Sequence, residues 1–218
     1  MNQTKSKYKI LSPRIPKKLD EISFLHNTIQ NHDCFSEGVV CDCSIEYQTA
    51  EHVTFEQMVF TNINFNEVSF ESIDLTDVKF VNCDLSNINF RGAIIHRVEF
   101  IGCKILGINF SESTLQNVLF ENCNGNYACF SFSNFKQVDF TNCLLKSANF
   151  QESKFNKVNF LNTNLVQSEM PGTKLKGIDL STCEIEGIGT RIEDLYGVIV
   201  SPMQAISLSK FIGLVVKM

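Results

Sequence analysis

The 218-residue sequence predicts an all-β fold: a square coil that turns a corner every five residues and completes a circuit every twenty. Three observations predict it. Of the thirty-one residues numbered in fives from Phe35 to Ile185, all but Gly125 are apolar, and sixteen of the nineteen phenylalanines share this register. A longer frame recurs at twenty, as Phe60-Thr-Asn62, Phe80-Val-Asn82, Phe100-Ile-Gly102, Phe120-Glu-Asn122, Phe140-Thr-Asn142 and Phe160-Leu-Asn162. The positions two before each apolar residue are small or β-branched, as at Val53, Ile63, Val78, Cys83, Ala93 and Ser113. A helical face repeats near 3.6 and a half-buried strand near 2.0, so a strict five fits neither, and fixed-period self-similarity signals stacked repeats.

Each part of the coil follows from this frame. Two inward residues of different size per five imply one corner per five, and four corners close a square. Residues n and n+20 then stack in neighbouring rungs about 4.8 Å apart. Phe60, Phe80, Phe100, Phe120, Phe140 and Phe160 make one interior column and Phe70, Phe90, Phe110, Phe130 and Phe150 the opposite one, with aliphatic columns between them. Asn62 and its equivalents fit the second central position of a type II turn, where φ is positive and Asn or Gly is tolerated best. Proline is absent between Pro16 and Pro171, as expected when every side hydrogen-bonds to the rungs above and below.

The expected organisation is a basic N-terminal segment or cap over 1–22, the coil over 23–200 and a tail over 201–218. In the tail, Ser201 reads as a helix cap, Pro202 as the first helical residue and Gly213 as a stop before a short apolar strand. Met203, Ile206, Phe211, Ile212 and Leu214 are left on an apolar surface, either to cover the open sheet edge or to dimerise. Gly125 breaks the interior register in "NCNGNYACFSF". Compensating packing or a bulge is one reading, and an exposed contact patch of Asn124, Gly125, Asn126 and Tyr127 is the other. If Gly125 leaves a void, leucine there should stabilise the coil.

No run of eighteen apolar residues and no secretory signal is seen, so a cytoplasmic location with no membrane contact is expected. Nine cysteines in that compartment should stay reduced. Cys43, Cys83, Cys103, Cys123, Cys143 and Cys183 fall in one column and read as small apolar filler. His26, His32, Cys34, Cys41 and Cys43 match no standard zinc spacing, so neither a metal nor another cofactor is expected. His96 stands alone, and no Ser/His/Asp set or glycine-rich phosphate loop is visible, which argues against an enzyme.

The stretches "CDLSN", "INFNE", "VKFVN", "SKFNK" and "ANFQE" resemble the pentapeptide repeat family across about residues 23 to 200. The resemblance implies a right-handed quadrilateral parallel β-helix. The end of the chain, "LKGIDLSTCEIEGIGTRIEDLYGVIV" with Gln204-Ala205 and Gly213-Leu-Val-Val, is similar to that of the Qnr quinolone-resistance proteins. That similarity implies a homodimer joined through its C-termini. It also implies a mimic of duplex DNA that binds DNA gyrase and topoisomerase IV, relieves fluoroquinolone poisoning and inhibits at excess, without binding nucleic acid itself. The unbroken frame from 35 to 185 is more like the loop-less chromosomal Gram-positive members. A scaffold or toxin-immunity protein for another partner is the alternative.

Charge bears on the mimicry. The net charge is -5, yet residues 1 to 18 hold six Lys or Arg and no acid, while Asp20 to Asp77 hold twelve acids and no Lys or Arg. Between residues 35 and 185 eighteen acids meet ten bases, against about 21 charges for B-DNA of the same roughly 36 Å. Locally the match is better. Glu37, Asp42, Glu46, Glu51, Glu56, Glu67, Glu71, Asp74 and Asp77 place nine acids over about two circuits, where DNA carries about six charges. They are the expected partner-binding acidic face, the plain alternative being a solvated surface that keeps a rod soluble.

Overall fold

The computed structural model describes residues 9–24 and 28–217. Each circuit lies over the last in parallel register, residue n beside n+20. The second face shows it most fully, with Val40, Phe60, Phe80, Phe100, Phe120, Phe140 and Phe160 aligned rung upon rung. The first face carries Cys34–Ser36 beside Thr54–Glu56 and Asp74–Thr76. The third and fourth faces begin with Ser44–Glu46 beside Asn64–Asn66 and Thr49–Glu51 beside Ser69–Glu71. They continue as single bridges such as Asp84 to Lys104 and Asn89 to Asn109. The result is the predicted four-sided parallel β-solenoid.

Inside, the phenylalanines do what a square interior asks of large flat rings. Phe80, Phe100, Phe120 and Phe140 stack face to face at 4.8–5.1 Å with interplanar angles of 4–5°. The opposite column meets them edge-on, as for Phe120 with Phe130 at 6.1 Å and 79°. Burying each ring stabilises the fold by about 1.5–3 kcal/mol, and each aromatic pair adds about 0.5–1.5 kcal/mol. The residue three after each Phe closes the gap beside the wall. Cys83, Cys103, Cys123 and Cys143 direct their thiols at the carbonyls of Phe60, Phe80, Phe100 and Phe120 at 3.3–3.5 Å. Ser113, Ser133 and Ser153 do the same on the other column, donating to Phe90, Phe110 and Phe130. Cysteine as small filler is borne out for Cys83, Cys103, Cys123, Cys143 and Cys183, with a weak hydrogen bond added, while Cys43 in the first circuits is only half-buried.

The positive φ expected of the asparagines holds, for example 53° at Asn82 and 54° at Asn122. It extends to corners with no small residue, including Arg97 (53°), Phe132 (59°) and Lys157 (58°). A non-glycine residue in this region costs about 1–2 kcal/mol, which corner hydrogen bonds to the next circuit offset in part. Asn82 N–H donates to the Ile101 carbonyl at 2.9 Å. Asn162 and Asn142 each donate a side-chain N–H one rung back, at 3.3 and 3.2 Å, so the column is also a ladder. Corners differ in kind. Those flanking the fourth face close with four-residue turns, as from Ala148 N–H to Leu145 O (3.1 Å) and Ser153 N–H to Phe150 O (3.2 Å). The corner between the first and second faces instead lies within continuous strands, Asp74–Val81, Ile94–Ile101, Thr114–Glu121, Asn134–Thr141 and Lys154–Leu161.

Both ends are covered. Phe24 is buried edge-on against Phe35 at 5.1 Å, and Asp20–Glu21 pair with Gly38–Val39. The basic segment is more than an end cap, because residues 9 to 16 run up the side of the coil. At the other end the predicted helix is present as α1, Pro202–Leu208, with Pro202 at its start. Ser201 Oγ accepts from Gln204 N–H, and Gln204 Oε1 accepts from Ser201 N–H. Gly213 ends the following turn at φ 76°, and the short strand expected after it is not formed, since residues 214–217 pair with no strand among the described residues.

Candidate partner-binding surface

The solenoid turns each acid of the early circuits in a different direction. Glu37, Asp42, Glu46, Glu51, Glu56 and Glu67 are exposed, while Glu71 and Asp74 are half-buried. Because every five residues turn a corner, these side chains surround the rod as a collar, which corrects the single face expected from sequence. Glu46 leaves from the third face, Glu51 from the fourth and Glu56 from the first. Asp42 Oδ1 accepts from Asn62 Nδ2 at 2.7 Å, and Glu71 lies 3.6 Å from Arg91.

Asp77 has to be removed from that surface. It is 3% exposed, and Arg97 grips it with two hydrogen bonds of 2.5 and 2.6 Å. Arg14 N–H adds a third at 2.9 Å. Burial alone pushes this carboxyl up, but the Arg97 side chain and the Arg14 N–H outweigh it and hold it below the usual carboxylate range.

The Gly125 patch is also smaller than expected. Gly125 is buried, Asn124 and Asn126 are half-buried in the ladder, and only Tyr127, 63% exposed, is offered to a partner. No void faces Gly125, since an added Cβ would stand 2.9 Å from Leu145 and 3.1 Å from Ile105. The missing side chain is replaced by its neighbours one rung above and below, so the expected gain from leucine is corrected to a loss.

In the tail, Met203, Ile206, Phe211, Ile212 and Leu214 are all exposed. A groove of about 700 Å³ separates α1 from the last circuits, lined by Ile185, Ile188, Met203, Leu208 and Phe211 among others. The helix also caps the coil, because Gln204 Nε2 donates to the carbonyls of Leu180 (2.8 Å) and Cys183 (2.7 Å). Edge covering is therefore observed, and the exposed apolar residues lie beyond it.

Among the first-circuit residues weighed for metal, His26 lies outside the described residues, and His32 stacks on His52 at 5.1 Å. Among the described residues, no helix is long and apolar enough to cross a membrane. Within the interior column, the Cys103 thiol is pushed up to about 12 by its neighbour Cys123 and by burial. Cys83, Cys123 and Cys183 are likewise raised and so stay protonated and poor as ligands or nucleophiles, whereas Cys143 is lowered by its hydrogen bond with Cys123.

A family model described as pentapeptide repeat region matches residues 73–150, and a second, described as pentapeptide repeats, matches residues 143–181. Together they span 73–181, half of the 218-residue chain. Over 92 residues the sequence is 42% identical to the uncharacterized protein YisX of Bacillus subtilis (strain 168). That match spans 42% of this chain and 43% of YisX, less than half of either. Among solved structures, QnrB1, a plasmid-mediated fluoroquinolone resistance protein, is 18% identical with a TM-score of 0.48, covering 83% of this chain and 100% of its own. HetL of Nostoc sp. strain PCC 7120, involved in heterocyst differentiation regulation, is 16% identical with a TM-score of 0.34, covering 78% and 90%.

Proposed function

This chain belongs to the pentapeptide repeat family, and from that premise we propose that it is a binding protein that occupies a cationic, DNA-binding surface of DNA gyrase and topoisomerase IV. Bound there, it relieves fluoroquinolone poisoning and at excess inhibits. The observation that carries this reading is the exposed acidic collar of Glu37, Asp42, Glu46, Glu51, Glu56 and Glu67, on circuits with no lysine or arginine of their own. A rigid rod fixes the backbone from which these charges project, so no backbone ordering cost falls on association, and charge complementarity speeds encounter with a cationic groove.

The similarity of the tail to the Qnr proteins supports the choice of partner, and the exposed residues Met203, Ile206, Phe211, Ile212 and Leu214 support a two-fold dimer through the C-termini. In that dimer the acidic circuits lie at the two far ends. The test is supercoiling by purified gyrase in the presence of ciprofloxacin. Rescue at sub-stoichiometric to micromolar protein, giving way to inhibition at higher doses, is expected, and no effect at any dose contradicts the proposal. A pull-down that captures another protein and no gyrase subunit favours the scaffold or immunity role instead.

A further inference from the structure

Residues 9–16 lie along the corner between the first and second faces, where the side chains of Gln57, Asp77, Asn117 and Gln137 hydrogen-bond the backbone of Lys9, Leu11 and Arg14. Gln137 Nε2 donates to the Lys9 carbonyl at 3.0 Å, and Asn117 Oδ1 accepts from Leu11 N–H at 3.3 Å. Asp77 Oδ1 accepts from Arg14 N–H at 2.9 Å, and Gln57 Nε2 donates to the Arg14 carbonyl at 3.2 Å. Arg97, on the intervening circuit, contacts Asp77 and fixes the carboxylate toward the strap.

The spacing suits an extended chain. Five residues from Lys9 to Arg14 reach about 17 Å, while the three to four circuit steps they cross measure about 14–19 Å. Pro13 and Pro16 favour extended backbone and occupy positions whose missing N–H is not called upon, while the two N–H groups that are used belong to Leu11 and Arg14. Ile10, Pro13, Ile15 and Pro16 are half-buried, and Lys9, Arg14, Lys17 and Lys18 point outward. In a solenoid each circuit otherwise touches only its neighbours, so four corner side chains converging on one extended segment are not explained by stacking.

We propose that this corner strip is a binding site for an extended polypeptide, with residues 9–14 as its resident, exchangeable ligand. Recognition runs through backbone N–H and C=O groups, so it selects an extended, proline-bearing conformation, and a segment of that kind supplied in trans can take the same place. While docked, the strap also brings Arg14, Lys17 and Lys18 to circuits whose own sequence has no lysine or arginine.

The experiment uses full-length protein and a fluorescent peptide of residues 4–18. In the first variant, Leu11→Pro with Arg14→Pro, both strap N–H donors are lost and the coil is untouched. The second, Gln57→Gly with Asn117→Gly, removes strip side chains at corners where φ is 53° and 55°, a conformation glycine adopts freely. Trypsin should cut after Lys9 at least tenfold faster in both variants than in the parent. The peptide should bind saturably to the first variant only. Equal cutting in parent and first variant, no peptide binding to the first variant, or equal binding to both variants would each overturn the proposal.

Discussion

At the scale of single residues, the corner carboxylate Asp77 joins two parts of the molecule. Asn in its place tolerates the same positive φ, so Asp77→Asn isolates the charge, and it should cost about 2 kcal/mol because Arg97 loses its ionic partner in a largely buried place. The pH dependence has a definite sign. The folded carboxyl titrates below the unfolded one, so its contribution is complete above about pH 4 and fades as pH falls through the lower, folded value. Acid titration followed by circular dichroism should therefore show a loss in the parent that is smaller in Asp77→Asn. Gly125→Leu should lower stability by about 1–3 kcal/mol, read as a lower Tm, because Leu145 and Ile105 already occupy the space. Sequence shows a gap in the register at Gly125 but not the neighbours that close it. It likewise shows an acid at Asp77 but not the guanidinium twenty residues on.

At the scale of elements, what could be read from sequence was what repeats. Sixteen phenylalanines in one register announce stacked columns, since a period imposed on one residue type survives any irregularity at the surface. The helix at Pro202–Leu208 was equally plain from Ser201, Pro202 and Gly213, while the reciprocal bond from Gln204 back to Ser201 is seen only in the structure. The strap was not legible, because its hydrogen bonds join residues as far apart as Lys9 and Gln137 and no period marks them. Only the outward turn of the coil reveals that Gln57, Asp77, Asn117 and Gln137 share a corner with it. Ser201→Ala should cost the C-terminal element about 1 kcal/mol. Hydrogen exchange should quicken over residues 201–213 and in the last circuit that Gln204 caps, and leave the earlier circuits unchanged, since a solenoid passes such effects only to its neighbours.

For the whole molecule, the rod is a set of charges held at fixed heights around a phenylalanine interior. The acids were visible as a run, but their distribution around the rod was hidden by the corners, which carry Asp42, Glu46, Glu51 and Glu56 to successive sides. A partner that meets this collar must embrace the rod end, as a groove does, and the interaction should weaken with salt as the screening length falls from about 10 Å at 0.1 M. The most direct test of this account is ciprofloxacin protection of gyrase by a charge-reversed rod, Glu46→Lys, Glu51→Lys and Glu67→Lys together, checked by circular dichroism to retain the coil. The account predicts that the parent protects and the charge-reversed rod does not. Undiminished protection by the reversed rod would contradict it.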